Sequence, residues 1–144
     1  MVELMVASAE ERKVGTGREI SPDLGLRLAA IADSKGGTEI VLLEIGAIVS
    51  YTDHLLICTA RNERMAKAIA DEIRIRVKSE SSMLPQGSGS DASSGWLVMD
   101  YLDCVVHIFT SEARERFQLD DLWREAPRVD LGDVVGPAAV ADEA

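Results

Sequence analysis

Trp96-Leu97-Val98-Met99-Asp100-Tyr101-Leu102-Asp103-Cys104-Val105-Val106-His107-Ile108-Phe109 is the stretch that decides the fold. It holds two short apolar runs, Trp96–Met99 and Cys104–Phe109. Runs of this length, rich in Val, Ile and aromatics, are strands, and Asp100–Asp103 between them has hairpin length. Working outward, Ile40-Val41-Leu42-Leu43-Glu44-Ile45 is too short and too β-branched for a helix and reads as a mostly buried strand. Gly46 breaks it, and His54-Leu55-Leu56-Ile57-Cys58-Thr59 reads as a second strand. Helical spacing fills the gaps. Ser21-Pro22-Asp23 opens a helix with Ser21 as N-cap and Pro22 at the first helical position. Leu24, Leu28 and Ile31 continue it, and Gly36-Gly37 stops it. Asn62 caps a second helix of about 16–18 residues, with Met65, Ala68, Ile69 and Ile73 on one stripe and Lys67, Asp71, Arg74 and Lys78 largely away from it. Ser111 caps a last helical stretch that carries Arg114, Phe117 and Leu119 and ends before Pro127. The order helix, two strands, helix, two strands, helix predicts a single α/β domain over 21–127, a mixed β-sheet with flanking helices.

The flanks read differently. Residues 1–20 are expected to form a flexible arm, and 128–144 an acidic disordered tail. Ser79–Gly95, rich in Ser and Gly, reads as a long mobile loop. The chain has 144 residues, with 15 Lys+Arg against 25 Asp+Glu, a net charge of −10. Such a chain is a poor general nucleic-acid binder, because phosphate affinity comes from clustered cations. Its natural macromolecular partner is basic. Cys58 and Cys104 stand alone inside apolar runs, forming neither a disulfide framework nor a metal knuckle. Met1–Gly17 carries Glu3, Glu10 and Glu11 and no signal-peptide core, and no apolar run reaches the roughly 18 residues of a membrane span. The expectation is a soluble, cytoplasmic protein with reduced thiols and no membrane contact.

No GxSxG, HExxH, Walker or strand-linked GxGxxG pattern is present. Gly87-Ser88-Gly89-Ser90-Asp91 has the look of a phosphate loop, but a strand follows it where a phosphate-binding helix should open. It reads as linker. His107 lies on the strand face opposite Cys104, against joint metal ligation, and on the same face as Asp103, Val105 and Phe109, so Asp103 and His107 could pair; a satisfied, partly buried histidine is the more common arrangement. Asp100 and Asp103 are the only tempting Mg²⁺ pair, with no third ligand. Tyr101, at a hairpin tip between two carboxylates, reads as an exposed recognition residue for a Lys- and Arg-rich partner. Trp96, Phe109 and Phe117 divide between core and recognition roles.

These residues carry a resemblance. Ser50-Tyr51-Thr52-Asp53-His54-Leu55-Leu56-Ile57, followed by Arg64 and Lys67-Ala68-Ile69-Ala70-Asp71-Glu72, resembles the first signature of the ribosomal silencing factor (Iojap) family. Trp96–Phe109 resembles its second, and Ala113-Arg114-Glu115 through Leu119 and Leu122-Trp123 its ending. The match spans about residues 22–127. The chain departs at Ala60-Arg61-Asn62, where a Gly-Thr-Ser type turn is usual, at Leu102, where Gly is frequent, and at Phe117-Gln118, where an aromatic–acid pair is usual. The resemblance implies a nucleotidyltransferase-like α/β fold without catalytic carboxylates, and no cofactor or metal. It also implies binding to protein fourteen of the large ribosomal subunit, a block on joining with the small subunit, and a homodimer when free. Trp96, Asp100, Tyr101, Asp103, His107, Phe109 and Phe117 would form or brace the docking surface. Two rival readings are a nucleotidyl- or phosphotransferase on the related fold and a scaffold acting only through its homodimer.

Overall fold

A computed structural model describes residues 21–91 and 94–136. The expected arm 1–20 and the end of the tail, 137–144, lie outside the described residues. The elements are α1 (Asp23–Ser34), β1 (Thr38–Glu44), β2 (His54–Ala60), α2 (Glu63–Ser81), β3 (Gly87–Asp91), β4 (Trp96–Asp100), β5 (Cys104–Thr110), α3 (Ser111–Phe117) and α4 (Leu119–Leu122).

Local chemistry sets the helix ends. Pro22, not Ser21, occupies the cap position of α1, and the Ser21 hydroxyl accepts from the Asp23 N–H at 3.3 Å. The chain leaves α1 through Gly36 at φ +92°, a left-handed conformation that glycine adopts without strain. Asn62 caps α2 as expected, its Oδ1 accepting from the Met65 N–H at 2.8 Å. Thr110, rather than Ser111, caps α3, accepting from the Ala113 N–H at 3.2 Å. The sequence offered two adjacent hydroxyls, and the extended one at the end of β5 takes the role.

Among the described residues the sheet has five strands in the order β1-β2-β5-β4-β3. Only β2–β5 is parallel, so the sheet is mixed. Strand β3 lies inside the stretch expected to be a loop. Its Ser/Gly composition gives no side-chain signal, and its place is fixed by antiparallel pairing to β4, from Gly87 opposite Asp100 to Asp91 opposite Trp96.

Alternation sorts the strands onto two buried faces. On one face, Leu42, Leu56, Cys58, Met99, Val106 and Ile108 pack with Leu28 and Ile31 of α1 and Ile69 and Ile73 of α2. On the other, Val41, Leu43, Leu55, Ile57, Val98, Val105 and Phe109 pack with Ala113, Leu119 and Ala126, flanked by Val49, Tyr51, Trp96 and Trp123. Each fully buried Leu or Ile contributes roughly 1.5–3 kcal/mol of transfer free energy, and these two layers hold the fold together.

The tail corrects a second expectation. Its first part packs on the domain rather than leaving it. The Pro127 carbonyl accepts from Glu44 N–H at 2.9 Å and Val129 N–H donates to the Leu42 carbonyl at 2.8 Å. Leu131 and Val135 are buried, and Gly136 N–H donates to Asp33 Oδ2 at 3.2 Å. This segment occupies the outer edge of β1, which would otherwise present unpaired backbone groups. Two apolar residues, Leu131 and Val135, anchor a stretch whose overall composition is small and acidic.

Candidate functional site

The site builds up from β4 and β5. Trp96 and Phe109 are register partners, as are Val98 and His107, so Trp96, Val98, His107 and Phe109 share one sheet face. Gly95 precedes β4 at φ +72°, and a Cβ on it would sit 2.4 Å from Thr110 Oγ1. That position needs glycine, since the Thr110 hydroxyl is already the α3 cap. Helix α3 then leaves β5 and carries Phe117 back over Trp96. The Trp96 and Phe117 ring centroids are 4.8 Å apart, and those of Trp96 and Phe109 5.0 Å. Phe109 is fully buried, Trp96 half-buried, and Phe117 39% exposed. The result is an aromatic patch with a buried floor and an open top.

Two arginines hold the patch: Arg116, which the sequence reading did not single out, and Arg114, which it placed only within the last helical stretch. Arg116 lies with its guanidinium carbon 5.1 Å from the Phe117 centroid, a cation–π contact, and donates to the Ser94 carbonyl at 2.8 Å. It thereby links α3 to the turn before β4. Arg114 forks onto Asp120 at 2.9 and 2.8 Å and donates to the Glu39 carbonyl and Thr59 Oγ1, both at 2.8 Å. This one side chain ties α3 to α4, β1 and β2. A cation one position before an aromatic on a short helix was the available signal for Arg116.

His107 is buried completely. Its Nδ1 accepts the Trp96 indole N–H at 2.9 Å, and among the described residues its Nε2 has no partner. His107 therefore makes no hydrogen bond to Asp103; it is a buried histidine paired with Trp96. Burial pushes the imidazole down from 6.5 to about 3. It is neutral at physiological pH, with the proton on Nε2 because Nδ1 is the acceptor.

The hairpin tip corrects the recognition reading of Tyr101. Tyr101 is 1% exposed and belongs to the core beneath α1 and α2. Its hydroxyl finds no hydrogen-bond partner among the described residues. Asp100 is 2% exposed, and its Oδ1 accepts from the Leu102 N–H at 2.8 Å. That bond helps hold Leu102 at φ +68°, where family relatives are expected to carry glycine. Asp103 is exposed, and its backbone carbonyl accepts from His54 N–H at 3.0 Å. Of the seven residues expected to form or brace the site, the structure gathers Trp96, His107, Phe109 and Phe117. It places Asp100, Tyr101 and Asp103 at the tip, where they shape the turn.

A cleft of about 590 Å³ lies beside α2 and β4, lined in part by Arg64, Lys67, Asp71, Arg74, Leu97 and Met99. Asp71 within it is bonded to Arg74 at 2.9 Å. Among the described residues, no group of three or more His, Cys, Asp or Glu side chains is placed to hold a metal ion. No helix among them is long and apolar enough to cross a membrane.

The histidine pKa gives a pH prediction. His107 takes up a proton near 6.5 when unfolded but only near 3 when folded. Stability should therefore be complete above about pH 6.5 and fall as pH drops toward 3, with a slope approaching ~1.4 kcal/mol per pH unit from this group. Burial lowers His54 as well, against the raising pull of Glu44 and Asp103, which adds in the same direction. Urea unfolding between pH 7 and 4 should show a clearly shallower loss in His107→Asn; an unchanged slope would assign the acid sensitivity to other groups.

Fold and site define an α/β protein with a mixed five-stranded sheet, covered by helices on one face and partly open at an aromatic patch on the other. The family model described as "Ribosomal silencing factor during starvation" matches residues 19–144. Ribosomal silencing factor RsfS of Bacillus subtilis is 33% identical over 107 residues, covering 74% of this chain and 90% of that protein. Protein Iojap, chloroplastic, of Zea mays is 28% identical over 104 residues, 72% of this chain and 45% of that protein. A crystal structure from Bacillus halodurans superposes with a TM-score of 0.62 at 30% identity, covering 75% of this chain and 98% of that one. The chain belongs to the ribosomal silencing factor family. The names of the family and of the Bacillus subtilis relative describe silencing of ribosomes rather than an enzymatic reaction.

Proposed function

We propose that this protein represses translation by docking on the large ribosomal subunit, at its protein fourteen, and sterically blocking the approach of the small subunit. The observation that carries the reading is the aromatic patch of Trp96 and Phe117. A half-open Trp stacked on a buried Phe is the kind of rigid anchor that dominates protein interfaces. The chain's net charge of −10 favours a basic ribosomal protein over bare RNA as the contacted surface. Arg116 beside Phe117 adds a cation for a carboxylate or carbonyl on the partner. The action belongs to the cytoplasm, where free subunits meet, and the free protein is a homodimer.

Steric occlusion needs no turnover. In a joining assay with purified subunits, inhibition should saturate at about one chain per large subunit, and preformed ribosomes should resist. Complete inhibition by a small fraction of a chain per subunit would mean catalytic modification and would end the steric reading.

A further inference from the structure

A buried polar atom in an apolar layer needs a reason, because desolvating it is unfavourable unless a hydrogen bond compensates. His107 sits between Ile57 of β2 and Val98 of β4 in the register, on the face that also carries Val105 and Phe109. Nothing in that layer calls for an imidazole; an aliphatic side chain would fill the site without a buried N–H. Among the described residues, the only side-chain hydrogen bond His107 makes is the one at 2.9 Å to the Trp96 indole. Trp96 is only half-buried, so the bond joins a side chain that is partly open to solvent to one that is fully buried. What the bond supplies is orientation. Stacking on Phe109 and contact with Phe117 are tolerant of rotation about the side-chain torsions, whereas a directional N–H···N bond is not.

We propose that His107 is the positioning residue of the docking patch: its Nδ1 accepts the Trp96 indole N–H and selects the one ring orientation that docks on the ribosomal partner. The role rests on the docking reading given above. His107 is covered by Trp96 and does not touch the partner; it acts through the indole. A ring already held in its bound orientation loses less freedom on association, so the bond raises affinity without adding a contact.

The test uses two variants of similar size, one that keeps an acceptor and one that does not. In His107→Asn, Oδ1 takes the place of Nδ1 and keeps an acceptor; in His107→Leu the acceptor is gone and the apolar volume stays. The Trp96 indole proton, followed by NMR, should be slow to exchange in the wild type and in His107→Asn and fast in His107→Leu. Affinity for isolated large subunits should fall about tenfold in His107→Leu and stay within about threefold in His107→Asn. If His107→Leu does not fold, Trp96→Phe breaks the same bond from the accessible side and should lose about tenfold. Added to His107→Asn, it should abolish the rescue. Trp96→Ala serves as the control for the docking reading itself. If Trp96→Ala binds poorly while His107→Leu binds like the wild type, the positioning role is overturned and the docking patch stands. If Trp96→Ala binds like the wild type, the patch is not the docking surface and the positioning role goes with it.

Discussion

Tyr101→Ala is expected to lower folding stability by about 3–5 kcal/mol, the range for removing a large buried aromatic side chain. Tyr101 is 1% exposed and packs in the layer beneath α1 and α2. A loss of that size is a large share of the 5–15 kcal/mol that holds a typical domain folded, so the variant should be partly unfolded at modest temperature. Tyr101→Phe is the informative companion. The Tyr101 hydroxyl is buried without a hydrogen-bond partner among the described residues, so deleting it should leave stability unchanged or raised by up to about 1 kcal/mol. Urea midpoints of the two variants check both statements. A stable Tyr101→Ala that has lost large-subunit binding would reverse the assignment and return Tyr101 to the recognition surface.

The fate of Tyr101 shows how two sequence rules can conflict. Alternation along β4 places Leu97 and Met99 on the helix-covered face, and carrying it two residues further puts Tyr101 there too. The rule that a hairpin tip is exposed pointed the other way. The rule failed because Asp100 and Leu102 make the turn, with Asp100 Oδ1 on the Leu102 N–H and Leu102 in the left-handed region. Tyr101, the residue just after β4, continues the strand's alternation into the core instead of opening to solvent. The hairpin register, by contrast, follows from a symmetric turn: it sets Trp96 opposite Phe109 and Val98 opposite His107, which makes Trp96 and His107 diagonal neighbours. Their shared face was legible. Their hydrogen bond was not, since Asp103 lies on the same face and offered a competing partner.

Two features had no local signal at all. Strand β3 is built from Gly, Ser and Asp and exists through backbone pairing to β4, a long-range interaction with no side-chain pattern. Helix α3, which carries Phe117, is tethered by Arg114, whose bonds to Asp120, Glu39 and Thr59 bridge 6, 75 and 55 residues of sequence. Periodicity over a window of ten or so residues cannot register such a tether. What it does register, the four apolar strands and the two long helices, is the frame on which both features hang.

Trp96→Ala should weaken binding to isolated large subunits by about 2–4 kcal/mol, the hot-spot range. At 1.4 kcal/mol per factor of ten, that is a loss of roughly 30- to 700-fold. The physical reason is that the indole combines the three properties of an anchor. It is half-open to solvent, it is stacked on Phe109 with ring centroids 5.0 Å apart, and its N–H is already held by His107. Little freedom remains to be lost when a partner covers it, so most of the area it buries on docking appears as affinity. Removing Trp96 also uncovers His107 and Phe109, so part of the effect could come from a loosened face. Phe117→Ala separates the two contributions. Phe117 is 39% exposed and lies at the end of α3, so its loss should disturb the core less than that of Trp96 while still removing patch surface. A docking role predicts that both variants bind more weakly, Trp96→Ala the more so. Co-sedimentation over a titration of large subunits, at a temperature where each variant is shown folded by circular dichroism, reads the affinities. Wild-type affinity in a folded Trp96→Ala would move the docking surface off this patch altogether.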